Sequence, residues 1–167
     1  MTRPFPLLGQ AVAYILFAAF LGVFSAAPSI TYLEADQAVI KLSFSHAGDH
    51  AGPCRRLTQE EIDALPANMR RSEDCPRERL SLLVELELDG EIATRRLLPP
   101  AGLHRDGASA VYQRFQVAAG KHRIVARLRD SARSEGFDYE REVEVELAPG
   151  QNFVVDFRAE SGGFIFK

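Results

Sequence analysis

The chain has 167 residues, 20 basic and 23 acidic side chains, and a formal net charge of −3. The basic residues are scattered among acids and form no stripe, which argues against nucleic acid as a partner. Beyond its apolar N-terminus the chain is long enough for one domain with a core of its own.

Residues Leu7 to Ala27 read LLGQAVAYILFAAFLGVFSAA, with Gln10 and Ser25 the strongly polar interruptions and no charge. About 20 helical residues cross a hydrocarbon core of about 30 Å. Arg3 precedes the run, and Glu34 and Asp36 follow it. The positive-inside tendency then places the N-terminus in the cytoplasm and the remainder outside. The expectation is a single-pass protein of a bacterial-type inner membrane with its C-terminal domain in the periplasm. Residues 1–28 would form the cytoplasmic tip and anchor, 29–36 a linker, and 37–167 the exported domain with an insert at 46–79. A cleaved signal peptide is the competing reading. Ala11 to Phe24 suits its apolar region, and Val23 with Ser25 suits a cleavage site after Ser25. Cleavage after Ala27 would set Pro28 just past the scissile bond, where it is poorly tolerated. Either way the domain is exported. Neither Cys54 nor Cys75 lies near the apolar run, so no lipid-bearing cysteine is indicated.

The exported part alternates with period two, the mark of half-buried strands. In Gln37 to Ser45, Ala38, Ile40, Leu42 and Phe44 share a face. In Leu80 to Leu88 the face is Leu80, Leu82, Val84, Leu86 and Leu88, and Asp89-Gly90 supplies the positive φ angles of a tight turn into Glu91 to Leu98. Val111 to Val117 alternates again, and Ala119-Gly120-Lys121 makes the next turn. His122 to Arg129 sets Ile124, Ala126 and Leu128 against Arg123, Arg127 and Arg129. Tyr139 to Leu147 sets Val143, Val145 and Leu147 against Glu140, Glu142, Glu144 and Glu146. If these two strands pair, their outer faces form an arginine–glutamate ladder worth a few tenths of a kcal/mol per pair. Pro149-Gly150 turns into Gln151 to Phe157, and Phe164 and Phe166 suit a packed last strand. The prediction is an all-β fold: an immunoglobulin- or transthyretin-like sandwich of about seven strands with one short helical insert, preceded by a transmembrane helix.

The pieces AAGKHRIVARL and VEVELAPGQNFVVDF, within Val111 to Phe157, resemble PEGA-type and transthyretin-like sandwich modules. The strings LPANMRR, CPRERL and GLHRDG are similar to those of uncharacterised bacterial envelope proteins. That resemblance implies an envelope location and carries over no activity and no functional residues.

The insert interrupts the strand rhythm. Thr58 and Glu61 match a capping box, Leu57 and Ile62 a hydrophobic staple, and Pro66 a stop near Leu65. A helix of two turns is too short to persist alone. It is expected to dock on the sheet through Ile62 and Leu65, or to be stapled. Cys54 and Cys75 bracket it and are the chain's two cysteines, so an oxidising compartment predicts a disulfide between them. The competing chemistry is metal. His46, His50 and Cys54 recur every four residues, with Met69 and Cys75 beyond, and such donors suit copper(I), or zinc. Gly48, Gly52 and Pro53 oppose a helix there, so these ligands would have to converge from a loop. Without metal, His46 and His50 would be exposed beside the disulfide.

Arg55, Arg56, Arg70, Arg71, Arg77 and Arg79 form a candidate docking surface for a partner, with local pairing to the interspersed acids as the alternative. No G-x-S-x-G, H-E-x-x-H or P-loop pattern occurs, and no small-molecule substrate is indicated. The leading expectation is a non-enzymatic accessory protein without a cofactor, presenting a sandwich to a membrane protein complex. A periplasmic copper-handling protein is the alternative.

Overall fold

The computed structural model describes residues 4–26 and 33–167. Arg3, the cleavage option between Ala27 and Pro28, and linker residues 29–32 lie outside the described residues. The chain divides into two compact units, with the boundary between Glu34 and Ala35.

The first unit is a helix, α1 (Pro4–Ala26), of 23 residues. Its Leu7–Ala26 portion, 20 residues with mean hydropathy 2.1, is long and apolar enough to cross a membrane. It is apolar all round rather than on one stripe, as a helix solvated by lipid must be.

The second unit is mostly β. Its strands are β1 (Gln37–His46), β2 (Arg55–Arg56), β3 (Glu73–Asp74), β4 (Leu82–Leu88), β5 (Glu91–Leu98), β6 (Ser109–Ala118), β7 (Gly120–Arg129), β8 (Tyr139–Leu147), β9 (Asn152–Arg158) and β10 (Gly163–Phe166). They form two four-stranded sheets, ordered β10-β9-β1-β6 and β5-β4-β7-β8, and a two-stranded ribbon, β2-β3. The expected seven strands are thus eight in the two large sheets, because Gly163–Phe166 pairs with β9 as a full member. One apolar cluster draws on both sheets. Ile40, Leu42, Val155, Phe157 and Phe164 come from the first; Leu82, Leu86, Ile124, Leu128 and Leu147 come from the second. These are the residues that the period-two pattern placed on shared faces.

Two local features follow directly from the sequence. Asp89 and Gly90 turn β4 into β5 with φ of 55° and 88°, the left-handed pair that a two-residue hairpin requires. The expected charge ladder exists and spans four strands. Arg127 bonds Glu85 and Glu87 of β4 at 2.9 Å and Glu140 of β8 at 3.0 Å, while Arg95 of β5 approaches Glu85 at 3.5 Å. Arg123 pairs with Glu142 in the next row. Val125, between the two arginines, is 1% exposed although it faces away from the core. The hydrogen bond to Glu87, with those to Glu140 and Glu85, outweighs burial and raises the Arg127 pKa.

One pairing was not readable. β1 runs antiparallel to β6 but parallel to β9. A parallel neighbour needs a long connection, here the whole chain from β2 to β8, and no local signal announces it.

Candidate functional site

The two ends of the β unit differ. At the Gln37 end, where the chain enters this unit, Ala119 N–H donates to Asp36 O at 2.7 Å. A shallow open groove beside it is lined by Asp89, Lys121, His122, Arg123, Glu144 and Glu146. His122 and Asp89 pair within it. His122 bonds the Asp89 carboxylate through Nδ1 and the Ala118 carbonyl through Nε2, both at 2.7 Å. Both partners are acceptors, so the ring holds both protons in this arrangement. Burial draws the His122 pKa down, but these two bonds outweigh it and the net shift is upward. The Arg123 backbone N–H, and then His122, hold the Asp89 carboxyl below its ordinary range.

The insert occupies the His46 end, separated from Gln37 by the 10 residues of β1, about 30 Å of extended chain. At its root the backbone is tightly tied. Asp49 N–H donates to Asp130 O, Leu80 N–H to Asp49 O, and Ala51 N–H to Glu78 O, at 2.8–3.0 Å. A Cβ on Gly48 would stand 2.5 Å from Leu80 O, so only glycine fits this approach.

Beyond the root, the insert forms a lobe. Arg55 pairs with Asp74 and Arg56 with Glu73 in the β2-β3 ribbon. The Cys54–Cys75 disulfide closes its base, one register step before Arg55 and Asp74. Leu57 N–H donates to Ser72 O and continues the ladder outward. The far end holds α2 (Gln59–Ala64) and a 3₁₀ turn at Ala67–Met69. The Thr58–Glu61 capping box is present as the sequence indicated, and Leu65 is the C-cap. The Thr58 backbone N–H, then the Arg55 guanidinium, lower the Glu61 pKa.

Docking of this helix on the sheet does not occur. α2 has no buried residue, and Ile62 and Leu65 are half-exposed. No residue from 51 to 80 is buried. The ribbon, the capping box and the disulfide hold the lobe, and the core is complete without it.

The arginines divide. Arg55 bonds Glu61, Arg56 approaches Glu73, Arg71 bonds Asp74, and Arg77 reaches Asp106. Arg79 donates to Gly48 O. Arg70 is exposed at the tip beside Met69, which is 54% exposed. Local pairing thus engages most of the cluster and leaves Arg70 exposed at the tip.

His46 is not on the surface. Its side chain is 17% exposed, its Nε2 lies 2.7 Å from the Asp130 carboxylate, and its ring meets Phe157 edge-on at 4.8 Å. The sequence carries a signal for this pair. His46 continues the inward parity of Ala38 to Phe44, and Asp130 that of Ile124 to Leu128. Burial pushes the Asp130 carboxyl up, against the opposing pull of His46. The neighbouring Asp138 goes the other way: burial raises it, but its bonds from Ser131 and the Asp130 N–H outweigh that, and the net shift is downward. Among the described residues, the side chain bonded to the His46 ring is Asp130.

His50 stands elsewhere, in an isolated bridge to Arg79 with its Nδ1 on the Pro76 carbonyl at 2.5 Å. Among the described residues, the His/Cys/Asp/Glu group close enough to share an ion is His50 with Cys54 and Cys75, all ligand atoms within 4.8 Å of one another. His46 is outside that group, and Met69 lies in the 3₁₀ turn at the lobe tip. No protein-family model and no curated protein matches the chain.

Proposed function

We propose that this is a non-enzymatic accessory protein, held at a bacterial-type inner membrane by Leu7–Ala26 with its N-terminus cytoplasmic. Its β unit, a sandwich of the immunoglobulin or transthyretin kind, stands in the periplasm and presents the 54–75 lobe to a membrane protein complex. One observation carries this reading: thirty consecutive residues, 51–80, include none that is buried, yet they are ordered by a disulfide, a ribbon and a capping box. Ordering a segment costs roughly 1–2 kcal/mol per residue in backbone entropy. A segment ordered at that cost without serving the core is suited to recognition, because its partner need not order it again.

Two further features support the reading. The lobe sits at the His46 end of β1, a full strand length from Gln37. A membrane anchor also concentrates the lobe against partners in the same bilayer. The test replaces residues 55–74 with a short Gly-Ser turn in the full-length protein and follows its native mass in solubilised membranes. The expected result is loss of a high-mass assembly with the β dichroism retained. An unchanged assembly would refute presentation by the lobe.

A further inference from the structure

The lobe base holds a second kind of chemistry. A ring nitrogen of His50 and the sulfurs of Cys54 and Cys75 lie within 4.8 Å of one another. A trigonal ion with metal–ligand bonds of about 2.2 Å holds its donors about 3.8 Å apart, so the ring nitrogen needs to close by no more than about 1 Å while the sulfurs part on reduction. The histidine is already oriented. Its Nδ1 meets the Pro76 carbonyl, which can only accept, so Nδ1 carries the proton and Nε2 keeps its lone pair. A backbone carbonyl on the non-ligating nitrogen is the usual support of a metal-bound imidazole. The Pro76 carbonyl is adjacent in sequence to Cys75, so the support and one ligand move together. Cys54 is exposed, and an incoming thiolate can reach it.

We propose that the lobe base is a redox-gated copper(I) site formed by His50, Cys54 and Cys75. Two thiolates and an imidazole suit a soft monovalent ion that accepts three ligands, whereas zinc would need a fourth. In the oxidised protein the sulfurs are bonded to each other and the site is closed. A protein dithiol opens it: its thiolate attacks one sulfur, its second thiol resolves the mixed disulfide, and it leaves as a disulfide. Cys54 and Cys75 receive the two electrons and two protons. Copper(I) then displaces both thiol protons, and His50 Nε2 completes the triangle. His46 takes no part, since Asp130 holds its Nε2.

The test uses the full-length protein in detergent without oxygen, with and without a phosphine reductant, and copper(I) titrated against bathocuproine disulfonate. The expected result is one copper per chain after reduction and none before it. His50→Ala should weaken binding by more than about 100-fold, beyond the loss of a supporting contact, while His104→Ala leaves it unchanged. X-ray absorption of the reduced wild type gives a reading that does not depend on any variant folding, and should show two sulfurs and one nitrogen. A sulfur-only shell, or equal binding by the oxidised chain, would overturn the proposal.

Discussion

Cys54→Ser isolates what holds the lobe. In the wild type, Cys54 and Cys75 close a separation of 21 residues. Without the bond, the root contacts at Asp49, Ala51 and Leu80 must still bring both ends of the insert together whenever the sheets fold. The entropy of closing that loop then falls on folding itself, about 3 kcal/mol in the chain-entropy model. Little packing offsets it, because residues 51–80 contribute nothing buried. The chain has no tryptophan, so urea unfolding is best followed by far-ultraviolet dichroism. The midpoint should fall in proportion to that loss, with the slope nearly unchanged, since the unburied lobe contributes little to the surface exposed. Trypsin should cut first after Arg55, Arg56, Arg70 and Arg71, while the two large sheets persist. An unchanged midpoint together with a trypsin-resistant lobe would show that packing holds it, and the reasoning would be wrong.

Phe157 is 3% exposed and touches Phe44, His46, Tyr139 and Phe164, so Phe157→Ala should cost about 3–5 kcal/mol in the same unfolding assay; a cost under about 1 kcal/mol would deny the shared core. Among the described residues, Arg127→Leu leaves Glu85, itself 5% exposed, with the longer contact to Arg95, and should cost about 1–3 kcal/mol. Adding Glu85→Leu should recover part of that loss, and a strictly additive double variant would contradict the ladder. The His122–Asp89 pair sets a pH dependence. His122 has a folded pKa above its unfolded value, so its contribution is complete below about pH 6.5 and is lost as pH rises through the folded pKa. Asp89→Asn should lower the His122 pKa in an imidazole NMR titration, and an unmoved pKa would remove Asp89 as its cause.

The strands were legible because one buried face writes its period into the chain, and Asp89-Gly90 and Thr58–Glu61 were legible because turns and caps are local chemistry. What escaped depends on distant partners. The parallel seam between β1 and β9 joins segments more than a hundred residues apart and leaves no mark on either. His46 groups with His50 in the sequence because spacing is visible and depth is not, while its partner in the fold, Asp130, is 84 residues away. The four-residue rhythm groups His46 with His50 and Cys54, whereas the ribbon register sets Cys75 beside Cys54 and His50. The helix in the insert was correctly bounded, yet its docking was not, since Ile62 and Leu65 are apolar enough to pack and the fold simply offers them no surface.

The central claim is that the lobe tip meets a partner in the membrane. A photo-crosslinking residue placed at Arg70 of the full-length protein, in intact cells, tests it most directly, with the same residue at Lys121 in the groove at the other end as the control. Position 70 should yield an adduct with a defined membrane protein, and position 121 should not. No adduct from position 70, or equal adducts from both positions, would contradict it.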